Sequence, residues 1–329
     1  MKKFLIFALA LTLVSCTPNI SDTSSTPDTP KTLKILTFED TPQLLSAAQS
    51  FLNTSEVKSH PDDYFDYLKI SLNSENPPTL FAVENKDQIT ALRDNLEELS
   101  GETWVNNACP NTLANSTVDG RVYAMPANIK GWGFVYNSEI LKKAGINPEN
   151  LNSEKRLYEA VQILSDRIKK GDFKSDYPNL KNVFTCDDTQ TPEKLQDIID
   201  DFDTDGGIEA LANEKAVIMF TDTDCYYKLS TPTAEKLKLL PITIDGEIEF
   251  KALLETTHYW AINKNASGED KKTAKQFLLW LYTKEGREHL SNLKIINPIA
   301  NFDDYDAKLP PLLKDFKTYA DTAQTTPLP

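Results

Sequence analysis

Asp119-Gly-Arg-Val-Tyr-Ala-Met-Pro-Ala-Asn-Ile-Lys-Gly-Trp-Gly-Phe-Val-Tyr-Asn137 is the stretch on which the fold turns. Asp119-Gly120 is a turn signal. Two short apolar runs follow, Val122 to Ala124 and Phe134 to Tyr136. Between them, Pro126 to Gly133 holds a proline, two glycines and Trp132, whose glycine neighbours suggest exposure. Proline has no N–H to give a central strand, so the chain is expected to leave one sheet here. Phe134-Val135-Tyr136 reads as a strand of its own. Asn137 or Ser138 then caps a helix, Glu139 to Ala144, that Gly145 ends. A chain that exits one sheet, passes a lysine and an aromatic and enters another is crossing between two lobes, and small-ligand sites favour such junctions.

Length agrees with two lobes, because 329 residues exceed what one core usually holds. A net charge of −14 argues against binding nucleic acid through its phosphates. Lys2 and Lys3 precede an apolar run, Phe4 to Val14, too short to span a bilayer, which needs about 20 residues. It fits a secretory signal. The run ends in Leu13-Val14-Ser15-Cys16, which resembles the lipobox of bacterial lipoproteins. That resemblance implies cleavage before Cys16 and acylation of its thiol. Residues 17–32, mostly Ser, Thr, Pro and Asp, cannot bury enough apolar surface to order themselves and read as a flexible tether. Cys109, Cys186 and Cys225 remain, an odd number. One disulfide is possible without the sequence choosing the pair, and small buried hydrophobes are the simpler reading.

Along the body, Leu33 to Thr37 is an expected strand and Pro42 to about Leu52 a helix. A second helix follows His60-Pro-Asp-Asp63. Thr79 to Val83 is the next strand, with Glu84-Asn85 at its carboxyl end, and Asp87 to Leu92 is helical. Leu157 to Ile168 carries apolar residues at helix spacing, and 171–191 reads as irregular. Pro192 to Phe202 and Ile208 to Asn213 are helical, and Ala216 to Phe220 is a strand leading into Asp222 to Tyr227. Leu237 to Pro241 is a strand, Asp245-Gly246 a hairpin turn, Thr256 to Lys264 a second crossing, and Lys271 to Leu281 a helix.

Tyr123-Ala-Met-Pro126, then Trp132-Gly-Phe-Val-Tyr-Asn137, then Leu141-Lys-Lys-Ala-Gly-Ile146 resemble, in order and spacing, a run of the extracellular solute-binding proteins of bacterial ABC importers, family 1, sugar-binding type. Asn76-Pro-Pro, Trp260-Ala-Ile-Asn-Lys264 and Thr283-Lys-Glu-Gly-Arg287 resemble further segments of it, patchily, from Leu33 to Pro298. The resemblance implies a periplasmic-binding-protein-like (type II) α/β fold of two lobes with a ligand cleft at the hinge. Lobe 1 is expected over 33–129 plus about 258–297, and lobe 2 over 130–257 plus about 298–329. Hinges are expected at Asn128–Gly131 and Thr256–His258. The ligand implied is a carbohydrate, an oligosaccharide or related polyol, passed to a membrane permease by a monomer anchored through lipid in the cell envelope.

Sugar binding needs flat apolar faces and planar polar groups. Trp132, Tyr226, Tyr259 and Trp260 supply the first, and Glu39, Asp40, Glu84, Asn85, Asn128, Lys130, Asp222, Asp224 and His258 the second. Each has a plainer reading. The aromatics can be core, with Trp260 favouring it. Glu39 and Asp40 can complement a helix dipole, and His258 can be a neutral, hydrogen-bonded histidine. The Asp222–Tyr227 loop departs from the family, many of whose members carry Gly and Trp there. Asp201, Asp203 and Asp205 with Gly206 open like a calcium loop, but Ala212 stands where the bidentate Glu belongs. A solvated acidic cap is the better account. No cofactor is expected, and no enzyme: G-x-S-x-G, Walker A, G-x-G-x-x-G and H-E-x-x-H are all missing. A surface adhesin, a non-sugar binder and a secreted glycosidase are the alternatives.

Overall fold

A computed structural model describes residues 32–39, 42–151, 153–185, 202, 206–240, 243–245, 247–249, 251–289, 296–300 and 309–327. Outside them lie the expected signal, Cys16 and the tether up to residue 31, and also Asp40, Cys186, Asp201, Asp203, Asp205 and Gly246. The expected helix before Phe202 lies outside as well.

The chain opens with β1 (Lys34–Thr37), α1 (Pro42–Phe51), β2 (Glu56–Ser59), α2 (Tyr64–Leu72), β3 (Leu80–Val83) and α3 (Lys86–Leu92). Strand, helix, strand places β2 and β3 parallel to β1 on either side. Asn85 caps α3, its Oδ1 accepting from the Gln88 N–H at 3.0 Å. A small ribbon, β4 (Thr117–Val118) and β5 (Arg121–Val122), turns at Asp119-Gly120, both with positive φ. β6 (Ala124–Pro126) then joins the far edge of the first sheet.

The second sheet is built around β7 (Ile129–Asn137). α4 (Ser138–Ala144) and α5 (Glu154–Lys170) follow, each ended by a glycine at positive φ, Gly145 and Gly171. Next come β8 (Phe184–Thr185), α6 (Gly207–Ala212), β9 (Ile218–Asp222), a 3-10 turn (Thr223–Lys228), α7 (Thr231–Ala234), β10 (Leu237–Leu240) and the hairpin β11 (Thr243–Asp245) with β12 (Glu247–Glu249). β7 pairs β9 along one side, and β13 (Ala252–Thr256) and then β10 along the other. β14 (Tyr259–Ile262) returns to the first sheet and slots between β3 and β6. α8 (Gly268–Leu281) and α9 (Lys284–His289) pack beside α1. α10 (Pro311–Asp321) covers β10, β13 and β7, and β15 (Thr325–Pro327) pairs β13.

The apolar residues sort accordingly. One cluster lies about the first sheet. The second sheet has two, because side chains alternate along a strand. Trp132, Phe134 and Tyr136 of β7 join α4 and α5, while Ile129 and Val135 meet Phe316 of α10.

Several expectations need correcting. Pro126 to Gly133 is not an irregular passage: only Ala127 and Asn128 lie outside strands. The crossing is therefore shorter than Asn128–Gly131, since Gly131 to Gly133 pair with β13 and β9. Trp132 is not exposed but 8 % accessible, because its strand faces the α4–α5 layer. β2, β8 inside the segment 171–191 that reads as irregular, β13 and α10 are additions to the expected elements. Cys109 and Cys225 are free and buried.

Candidate functional site

Ala127 and Asn128 carry the chain from the first sheet to the second, and Thr257 and His258 carry it back. The two passages are bonded together: Ala127 N–H donates to His258 O at 2.9 Å, and Thr257 N–H to Asn128 O at 3.2 Å. A third segment, 296–300, joins them. Ile296 N–H donates to Asn128 Oδ1 at 2.6 Å, and Ile129 N–H to Ile296 O at 3.4 Å. Tyr282, buried at the end of α8, donates its hydroxyl to Pro126 O. Asn128, expected as a ligand group, thus spends its side-chain oxygen on tying the passages.

Beside this knot, on the α4–α5 face of the second sheet, β7 and β13 bring Lys130 opposite Glu255, and β7 and β9 bring Trp132 opposite Asp222. Lys130 Nζ lies 3.3 Å from Glu255 Oε2 and 3.4 Å from Asp222 Oδ2. Trp132 Nε1 donates to the same Glu255 Oε2 at 2.7 Å. Asp222 Oδ1 accepts from the Asp224 N–H at 3.0 Å, capping the 3-10 turn. Desolvation pulls the Lys130 ammonium down, but Glu255 and Asp222 outweigh it and hold its pKa above the usual lysine value. The three charged side chains are 17, 28 and 14 % exposed for Lys130, Glu255 and Asp222, so each can meet a solute. Phe220 stacks on Trp132 with centroids 6.4 Å apart, and Lys130 Nζ sits 5.7 Å from its ring centre. The indole is held from two directions and acts by orienting Glu255.

On the first sheet's side, His258 meets Phe38 edge-on at 5.5 Å and Trp260 edge-on at 5.4 Å. Part of the residue stays open, yet burial of its ring pushes the pKa down to about 4, so the imidazole is neutral at pH 7. Glu39 and Glu84 are exposed at the carboxyl ends of β1 and β3, where open α/β sheets hold ligands. Although the residue as a whole is exposed, the Glu39 carboxyl itself is half-buried, and that desolvation raises its pKa. Glu84 is bonded to Gln88 through both its N–H and its carboxylate.

The candidate residues do not all gather. Lys130, Trp132, Asp222 and Asp224 come together, joined by Glu255. Trp132, Tyr226 and Tyr259 divide among three apolar clusters: Tyr226 leans on the α10 layer, and Tyr259, buried, lies in the first core with Trp260. Three hollows on the first lobe, of about 400, 550 and 600 Å³, are lined by none of them. Among the described residues no group of three or more His, Cys, Asp or Glu is placed to hold a metal. Sequence reasoning missed Glu255. The signal that could have found it is its place three residues before His258, in register with Lys130 once β13 is recognised.

Residues 56–288 match the family of bacterial extracellular solute-binding proteins. Similar folds recur in solved structures. A probable secreted solute-binding lipoprotein from Streptomyces coelicolor has a TM-score of 0.70 at 15% identity, covering 92% of this chain and 90% of that one. A family 1 extracellular solute-binding protein from Bifidobacterium longum subsp. infantis has 0.61 at 18%, with 89% and 88% covered. A cyclic alpha-maltosyl-1,6-maltose binding protein from Arthrobacter globiformis has 0.62 at 12%, with 91% and 88% covered. No curated protein matches the chain in sequence.

Proposed function

The chain belongs to the bacterial extracellular solute-binding proteins, and from that membership we propose that it captures a carbohydrate, an oligosaccharide or related polyol, between its two lobes. The observation that carries this reading is the Lys130–Trp132–Asp222–Glu255 group two residues beyond the crossing. Its acceptors and donor are planar or fixed, which suits vicinal hydroxyls. Glu39, Glu84 and His258 would address the solute from the other lobe. The name of the Arthrobacter structure supports a sugar of several units. Lobe 1 comprises 33–129 plus about 258–297, and lobe 2 comprises 130–257 plus about 298–329. They close about the knot at Asn128 and present the closed form to an ABC permease. The protein works as a monomer outside the cytoplasm, held by lipid on Cys16. The Leu13-Val14-Ser15-Cys16 run and the word lipoprotein in the Streptomyces structure's name support the anchor.

Thermal melts against a panel of neutral, basic and acidic oligosaccharides test the reading. A true solute at one hundred times its Kd adds about 2.7 kcal/mol of stability by mass action and raises the Tm. A panel in which no sugar raises it overturns the carbohydrate assignment.

A further inference from the structure

Glu255 is held with one oxygen and open at the other. Both of its contacts, to Trp132 Nε1 and Lys130 Nζ, fall on Oε2. Among the described residues Oε1 has no partner. Trp132 is itself fixed by Phe220 and buried, so the carboxylate is oriented before any solute arrives. Asp222 differs, because its two oxygens serve Lys130 and the Asp224 N–H. Around this point one ammonium faces two carboxylates in direct contact, with Asp224 close enough to act on Lys130 as well.

A solute that covers Glu255 strips water from it. A hydroxyl then supplies a hydrogen bond but leaves the surplus charge uncompensated, which is costly in a partly dry site. A protonated amine supplies both bond and charge. An acid would meet carboxylates with a single lysine already engaged. We infer that Glu255 contacts the solute through Oε1 and makes this site select a sugar carrying a protonated amine over its neutral and acidic counterparts. For the sugar part, the inference rests on the carbohydrate reading above.

Three trisaccharides of β- or α-1,4-linked hexoses provide the test: the glucosamine trimer, the neutral glucose trimer and the galacturonate trimer, titrated calorimetrically at pH 6 and low salt. The amine trimer is expected to bind roughly tenfold tighter than the neutral one, the acid weakest, and added salt to narrow the gap. Glu255→Gln is expected to bring the amine-to-neutral ratio close to one. Equal or weaker binding of the amine trimer by the natural protein overturns the inference with no variant needed. An unchanged ratio in a folded Glu255→Gln protein overturns the role of Glu255. Stabilisation by spermidine with no trimer bound upholds the charge selection and overturns the carbohydrate reading. Binding of the neutral trimer alone does the reverse.

Discussion

His258 shows how one residue can be suspected from sequence while its state cannot. Its place before an apolar strand marked it as a candidate, but Phe38 lies more than two hundred positions away, and nothing local shows that its ring closes on the imidazole. The consequence is a stability that depends on pH. The unfolded chain titrates this group near 6.5 and the folded protein near 4, so between those values the unfolded state binds the extra proton. The contribution is fully present above pH 6.5 and is lost as pH falls toward 4. It amounts to roughly 2 kcal/mol once the open part of the residue is discounted. Chemical denaturation of the natural protein and of His258→Gln at pH 7 and pH 4.5 measures it, and the variant is expected to lose less stability between the two. Glu255 makes the complementary point. One glutamate among many acidic residues carries no mark in a sequence, and it becomes distinctive only through its register opposite Lys130.

At the scale of elements, β7 was legible in part. Phe134 to Tyr136 announced a strand and Gly145 announced the end of α4, and both signals are local. The strand's first half reads as a loop in the sequence, because glycines beside a tryptophan suggest one. Their real cause is the layer above: Gly131 faces α10, and a Cβ there would drive into the Phe316 ring. A Cβ at Gly133 would come 2.8 Å from Leu240 O. Gly131→Ala is therefore expected to destabilise the protein by about 2–3 kcal/mol through overpacking, read as a lower urea midpoint with an unchanged slope. Phe316→Leu in the same chain is expected to recover part of that loss. β2, with the sequence Glu-Val-Lys-Ser, escaped notice because an edge strand can be polar on both faces. β8 has only two residues, too few for a period to show.

At the scale of the molecule, two lobes followed from length and from the crossing, but the way they are fastened did not. Lys317 of α10, almost wholly buried, reaches Asp321 Oδ1 at 2.5 Å, Ile299 O at 3.2 Å and Cys109 Sγ at 3.7 Å. Cys109 in turn donates to Asp321 Oδ1 at 3.1 Å, and Asn111 Nδ2 to Thr325 O at 2.8 Å. A loop that precedes the first crossing is thereby bolted to the helix that covers the second sheet. Removing one member of such a pair strands the other's charge. Lys317→Met is expected to cost about 3–5 kcal/mol in denaturant unfolding, while Lys317→Met with Asp321→Leu, which leaves no orphan charge, is expected to cost clearly less. The sequence could not show this bolt, since its parts stand on either side of both crossings.

The placement of β14 reaches beyond equilibrium structure. This strand sits between β3 and β6, yet the ribosome makes it only after nearly all of the second sheet. Until residue 262 emerges, β3 and β6 have no common neighbour, and the opening third of the polypeptide cannot complete its own sheet. Such long-range closure is slow. A nascent chain that stays open until late in synthesis is one that an export channel can still thread.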